Sequence, residues 1–157
     1  SDVKLIIALH LIDEYHLVEI IRKLKRPYVR YTRADEKNVR KADCLIIDCF
    51  GLLSSIYRYG EIAYIGGGFG VGIHNTLEAA VYGIPVIFGP KYQKFQEAVQ
   101  LLEAKGGFSV KSYEELKALL DRMLEDESFL RETGTNAGTD VTGNAGATDK
   151  VLGMINF

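Results

Sequence analysis

Short apolar runs alternate with stretches of helical periodicity along most of this chain, and that alternation limits the folds open to it. Residues 3–8 (VKLIIA), 43–49 (DCLIIDC), 62–65 (IAYI) and 85–88 (PVIF) have strand length and apolar centres. Such runs suit strands buried on both faces. Residues 28–32 and 108–110 read as two shorter strands. Between them, Leu17, Ile20, Ile21 and Leu24 set a helical stripe over residues 13–24, which Pro27 ends. Helices are predicted over residues 52–59, closed by Gly60, and 76–82, stopped by Gly83. Another covers residues 93–105, before Gly106-Gly107. Ser112 is placed to cap a helix over 113–125, with Glu115 in the reach-back position of a capping box. Strands that alternate with helices through short links give a parallel sheet covered on both faces. The expected fold is α/β, a Rossmann-like doubly wound parallel sheet of about six strands. Ligands bind such folds at the carboxyl ends of the strands, here just after Ala8, Cys49, Ile65 and Phe88.

The 157 residues fit one domain or one lobe of a larger protein, 1–157. Apolar residues make up 47% and charged residues 25%, which excludes disordered, collagen-like and disulfide-stapled chains. The net charge of −2 leaves no domain-wide basic field, so nucleic acid is not an expected partner. Cys44 and Cys49 have neither CxxC nor zinc-knuckle spacing and read as free, buried thiols. No apolar run approaches the ~18 residues of a membrane span. The first residues read as a strand entered abruptly rather than a signal peptide, as in a piece of a longer chain. Residues 133–148 are rich in Gly, Thr, Asn and Ala, and a weak helix, a loop and a loose arm all stay open. Residues 149–155 suit a short amphipathic helix. Residues 22–41 hold nine basic side chains against Asp35 and Glu36. This stretch is either a solvated rim or a patch facing an anionic surface.

The segment YIGGGFGVGIHNTLEAA, residues 64–80, carries the most chemistry. A strand feeds five glycines in seven positions, and a helix is expected to follow. Glycines let a ligand approach the main chain, and a helix start offers unpaired N–H groups to an anion, most often phosphate. Neither GxGxxG nor the Walker motif is present, and no acidic cluster for magnesium stands beside the glycines. The competing reading is structural: Asn75 and Glu78 make a passable capping box, and the glycines then form only a tight turn.

At these residues the chain resembles the 3-deoxy-D-manno-octulosonic acid (Kdo) transferases. Their pattern is a Gly-rich turn, His-Asn-x-Leu-Glu, Gly-x-Pro-Val-x-x-Gly-Pro and Phe-x-Glu/Asp. It is met here by Gly66 to Gly72, His74 to Glu78, Gly83 to Pro90 and Phe95 to Glu97. The resemblance implies the C-terminal, donor-binding lobe of a two-lobed, B-type glycosyltransferase. The full enzyme would transfer Kdo from CMP-Kdo to a lipid A precursor in lipopolysaccharide core biosynthesis. Transfer would invert the anomeric centre and need no metal or cofactor, at the cytoplasmic face of the bacterial inner membrane. The catalytic base would lie in the other lobe, so no catalytic residue is assigned here and this lobe alone is expected to be inactive. The donor-binding residues implied are Gly67, Gly68, Phe69, Gly70, Gly72, His74, Asn75, Thr76, Glu78, Gly89 and Pro90. Backbone amides near Gly68–Gly72 and His74–Thr76 would hold phosphate, His74 or Asn75 would donate to phosphate or the Kdo carboxylate, and Glu78 would accept from ribose hydroxyls. His10 and Glu97 are weaker candidates. Leu9 and Leu11 depart from the basic residue or proline and the acid that usually flank this histidine, and Lys94 replaces a common asparagine. The other readings are a UDP-sugar transferase or 2-epimerase of the same fold, or a non-catalytic nucleotide-sugar binding module. The tail, residues 133–157, is expected to be loose where the other lobe is absent.

Overall fold

The structure is a computed structural model that describes residues 3–9, 12–70 and 72–155, the last of these, 144–155, as backbone. The chain forms two compact units, Ser1–Ser55 and Ile56–Phe157. Each is built on a three-stranded parallel sheet with helices in the connections.

The first unit contains β1 (Leu5–Ala8), β2 (Tyr28–Arg30) and β3 (Cys44–Ile47) in the order β1-β3-β2. Helix α1 (Glu14–Lys23) starts where Asp13 accepts the N–H of His16 at 2.9 Å. Its apolar stripe then packs Leu17, Ile20 and Ile21 against Cys44, Ile46 and Ile7. Cys44 is a buried free thiol and Cys49 a half-buried one. Burial pushes the Cys44 thiol's pKa up, although the nearby Arg26 charge acts against it. A helix not expected from the sequence, α2 (Glu36–Lys41), opens on a capping box. Asp35 accepts the N–H of Asn38 at 2.8 Å, and the Asn38 side chain accepts that of Asp35 at 2.8 Å. The density of charge hid it, because no apolar stripe marks it.

Helix α3 (Leu53–Ile56) and a 3-10 turn (Tyr57–Tyr59) occupy the predicted helix over 52–59. The second unit then pairs β4 (Ala63–Ile65), β5 (Val86–Phe88) and β6 (Gly107–Ser109), with β5 central. All three β5 side chains are fully buried, and they alternate between faces. Val86 and Phe88 join α4 (Leu77–Ala80), α5 (Gln96–Glu103) and Ala137 on one face. Ile87 joins Met123, Leu116, Leu119 and Leu120 of α6 (Tyr113–Glu125) on the other. Each such side chain contributes about 1.5–3 kcal/mol relative to exposure. Helix α6 spans the predicted residues. Ser112 accepts the N–H of Glu115, and Glu115 reaches back to the N–H of Lys111 at 2.7 Å.

The α/β class, parallel pairing and six strands among the described residues match the sequence reading. The lateral arrangement differs, since hydrogen bonding joins the strands as two sets of three rather than as one sheet. Alternation identifies strands, but not which of them are neighbours. The Gly/Thr/Asn/Ala tail is helical: α7 runs Glu127–Ile155. Its small residues let it lie on bare backbone. A Cβ at Gly134 would stand 2.4 Å from the Gly83 carbonyl oxygen, and one at Gly106 would stand 2.3 Å from the Ala137 nitrogen.

Candidate functional site

The strands of the second unit end level, with Ile65, Phe88 and Ser109 side by side. Two loops gather beyond them, residues 66–76 and 89–95. They interlock through glycine. A Cβ on Gly68 would stand 2.5 Å from the Gly89 nitrogen, and Lys91 donates its N–H to the Gly68 carbonyl at 2.9 Å. Ser109 donates its hydroxyl to the Gly89 carbonyl at 3.1 Å. Phe95, whose N–H bonds the Tyr92 carbonyl at 2.8 Å, sets its ring behind Gly72, 2.7 Å from where a Cβ would be. The separate sequence motifs Gly66–Gly72, Gly89-Pro90 and Phe95 thus form one assembly.

This packing divides the glycines. Gly67 has φ +92°, and a Cβ there would strike the Gly72 carbonyl oxygen at 2.1 Å. Gly67, Gly68 and Gly72 are therefore required by the loop itself. Gly66 and Gly70 are not: a Cβ on either would meet nothing closer than 3.8 Å and 3.9 Å respectively. Packing within the loop thus accounts for three of the five glycines and leaves Gly66 and Gly70 without such a requirement.

The amide inventory also narrows. Gly70 and Gly72 donate to the Gly67 carbonyl, at 3.1 and 3.2 Å, and His74 donates to the Gly66 carbonyl at 3.1 Å. Those three amides close the loop on itself. Phe69 and Asn75 are exposed, and their N–H groups are not engaged by that closure. The expected helix over 76–82 contracts to the single turn α4, with Tyr82 and Gly83 bonding back in turns and Gly83 at φ +70°. A helix of one turn has little macrodipole to offer an anion. Asn75 Oδ1 accepts the N–H of Leu77 at 2.9 Å, leaving its amide nitrogen as the outward donor.

Thr76 is buried and His74 exposed. Glu78 is half-buried beside Tyr57, whose pKa is raised by burial and then by the Glu78 charge. Tyr57 escaped the sequence reading; its signal would have been a tyrosine close before β4. Pro90 is half-buried behind Gly89. Glu97 is an exposed acid in the first turn of α5, where it complements the helix start. His10 lies outside the described residues. Among the described residues, no group of three His, Cys, Asp or Glu is placed to hold a metal ion.

The corresponding end of the first unit holds a built ion-pair network. Asp48 follows β3 with its side chain 1% exposed. It accepts from Arg30 Nε at 2.9 Å, Thr32 N–H at 2.9 Å and Thr32 Oγ1 at 2.5 Å. Arg30 also donates to Glu14 at 2.9 Å. Burial opposes ionisation of Asp48, but these hydrogen bonds prevail and hold its pKa below the ordinary carboxylate value. The loop beyond presents Phe50 to solvent and turns at Gly51, φ +88°.

Parallel α/β units with loops gathered at the strand ends are the architecture of one lobe of the B-type, two-lobed fold. No family model matches the chain. It is 42% identical over 86 residues to the 3-deoxy-D-manno-octulosonic acid transferase of Aquifex aeolicus (strain VF5), covering 54% of this chain and 24% of that protein. It is 34% identical over 115 residues to the enzyme of the same name from Chlamydia muridarum (strain MoPn / Nigg), covering 64% and 26%. The chain thus spans about a quarter of the length of these relatives. Its fold matches the crystal structure of the C-terminal CMP-Kdo binding domain of WaaA from Acinetobacter baumannii. That match has a TM-score of 0.69 at 19% identity, over 81% of this chain and 67% of that one. The chain is thus similar in sequence to 3-deoxy-D-manno-octulosonic acid transferases over the matched residues, and similar in fold to a C-terminal lobe of the B type.

Proposed function

We propose that the glycine assembly of the second unit is the donor site of a Kdo transferase, holding CMP-Kdo. The full protein would transfer Kdo from it to a lipid A precursor at the inner membrane surface, with inversion and without metal. The observation that carries the site is the pair Gly66 and Gly70, glycines that the loop's own packing does not require. They keep the backbone open beside the exposed residues Phe69 and Asn75, whose amides the loop closure does not use. Those amides, the Asn75 side-chain nitrogen and His74 would take the phosphate and the Kdo carboxylate. Charge that develops on phosphate as CMP leaves would be stabilised by these fixed donors. Glu78 would accept from the ribose hydroxyls. Gly67, Gly68, Gly72, Thr76, Gly89 and Pro90 would act by fixing the loop's shape. With the base in the other lobe, this chain binds but does not transfer.

Calorimetric titration of the chain with CMP, UMP and UDP tests the reading. CMP is expected to bind best, weakly, and with no dependence on Mg²⁺. Glu78→Ala should weaken CMP by about tenfold, the loss of a charge-assisted hydrogen-bond pair. A preference for UDP would move the chain to another sugar donor within the same fold.

A further inference from the structure

The basic run at residues 22–41 is not one patch in the fold. The strands of the first unit start level, with Leu5 and Tyr28 both opposite Cys44. Helix α1 ends at Lys23 and α2 at Lys41, each feeding the next strand. Lys23, Lys25, Arg26, Arg40 and Lys41 therefore gather at the amino ends of the strands. Arg30, Arg33 and Lys37 lie toward the other end, where Arg30 is held by Asp48 and Glu14.

At the amino end, two acids among the described residues are already engaged. Asp43 pairs with Lys4 at 2.7 Å, and Glu19 faces Arg22 at 3.5 Å. None of the five gathered cations makes an ion pair among the described residues. Helix dipoles account for cations in the last turns of α1 and α2, but not for Lys25 and Arg26 in the connection. Arg26 is half-buried and shares the field of Asp43, but Lys23, Lys25, Arg40 and Lys41 are exposed, so positive charge in excess of acid is concentrated at one end of a unit, in a chain whose net charge is −2. The same end exposes apolar surface at the first residues of β1 and β2, Leu5 and Tyr28, each 43% accessible. Flexible cations beside an exposed tyrosine and leucine match the interfacial zone of an anionic bilayer.

We propose that the amino-terminal strand ends of the first unit dock on an anionic lipid surface. The cations would meet headgroup phosphates, with Tyr28 and Leu5 at the acyl boundary. Among the described residues no helix is long and apolar enough to cross a membrane. Such docking gives a location to the membrane partner proposed above, and it does not depend on which nucleotide the second unit binds.

The test is co-sedimentation of the chain with vesicles of equal parts phosphatidylglycerol and phosphatidylcholine, against phosphatidylcholine alone. The patch variant is Lys23→Gln/Lys25→Gln/Arg40→Gln/Lys41→Gln. The control removes four cations elsewhere, as Arg33→Gln/Lys37→Gln/Lys111→Gln/Lys117→Gln. Lys25→Gln/Lys41→Gln serves as a milder variant, and thermal melts and CMP titration confirm that each variant is folded and keeps its nucleotide site. Binding to anionic vesicles is expected at low salt, with a fall of at least about tenfold in the patch variant and much less in the control. Rising salt should weaken it as screening shortens to about 10 Å near 0.1 M. Equal losses in patch and control variants, or equal binding to neutral vesicles, overturn the proposal. So does retention on single-stranded RNA, lost in the patch variant, by a chain that leaves both vesicle types unbound. A failed vesicle assay with intact CMP binding would sink this surface and leave the donor-site reading standing.

Discussion

Gly68 and Gly70 stand two positions apart in one loop, and the same substitution should act differently at each. Gly68→Ala places a methyl 2.5 Å from the Gly89 backbone, which cannot yield as a side chain end can. It should cost about 1–3 kcal/mol of stability in denaturant unfolding. Gly70→Ala meets only an ordinary contact with the Gly67 carbonyl oxygen at 3.9 Å and should leave stability within about 0.5 kcal/mol. If the open backbone there receives phosphate, Gly70→Ala will still weaken CMP binding several-fold; unchanged affinity would remove Gly70 from the site. Asp48 is a second single-residue determinant. Replacing it by Asn removes the charge that Arg30 Nε and Thr32 face, and should cost about 2–4 kcal/mol. The pH dependence follows from its depressed folded pKa. Its contribution is complete above the unfolded value of about 3.9 and is lost as pH falls through the lower folded value. Urea midpoints measured down that acid range should therefore fall for the native chain, and fall less steeply for Asp48→Asn.

Among the elements, α7 shows how packing overrides propensity. Glycine costs about 1 kcal/mol relative to alanine inside a helix, yet this one contains several, two of them against backbone. Gly134→Ala improves propensity but drives a Cβ to 2.4 Å from the Gly83 carbonyl, and should lower the melting temperature. Gly143→Ala meets nothing within 4 Å and should raise stability by about 0.5–1 kcal/mol. Gains at both positions would mean that α7 does not rest on Gly83 as described. The sequence alone leaves this segment open for a physical reason: Gly, Thr and Asn lack both the propensity and the apolar stripe that announce a helix. The partner surface that makes their smallness useful is more than forty residues away in sequence, at Gly83 and its neighbours. By contrast, α1 and α6 were legible because each combines a local cap with an apolar stripe at i, i+3, i+4.

For the whole molecule, the similarity to Kdo transferases and the incomplete span of those relatives lead to one prediction. The 157-residue chain should bind CMP yet transfer no Kdo to a lipid A precursor when incubated with CMP-Kdo, as followed by radiolabel incorporation. Turnover by the chain alone would place a base within it and overturn the assignment of that role to the other lobe.

Local chemistry fixes much of this protein. Periodicity and caps set the strand and helix identities, and glycine spacing marks the loop at the end of β4. Motif order marks the resemblance to Kdo transferases, because each of these signals resides in residues near one another along the chain. Tertiary structure alone decided the rest: the pairing of six strands as two sheets of three, the folding of the tail onto Gly83, and the sorting of the basic run to two ends of one unit. It also decided which glycines are spent on backbone contact and which amides are consumed within the loop. Those outcomes depend on distances between segments remote in sequence, and no local preference encodes them.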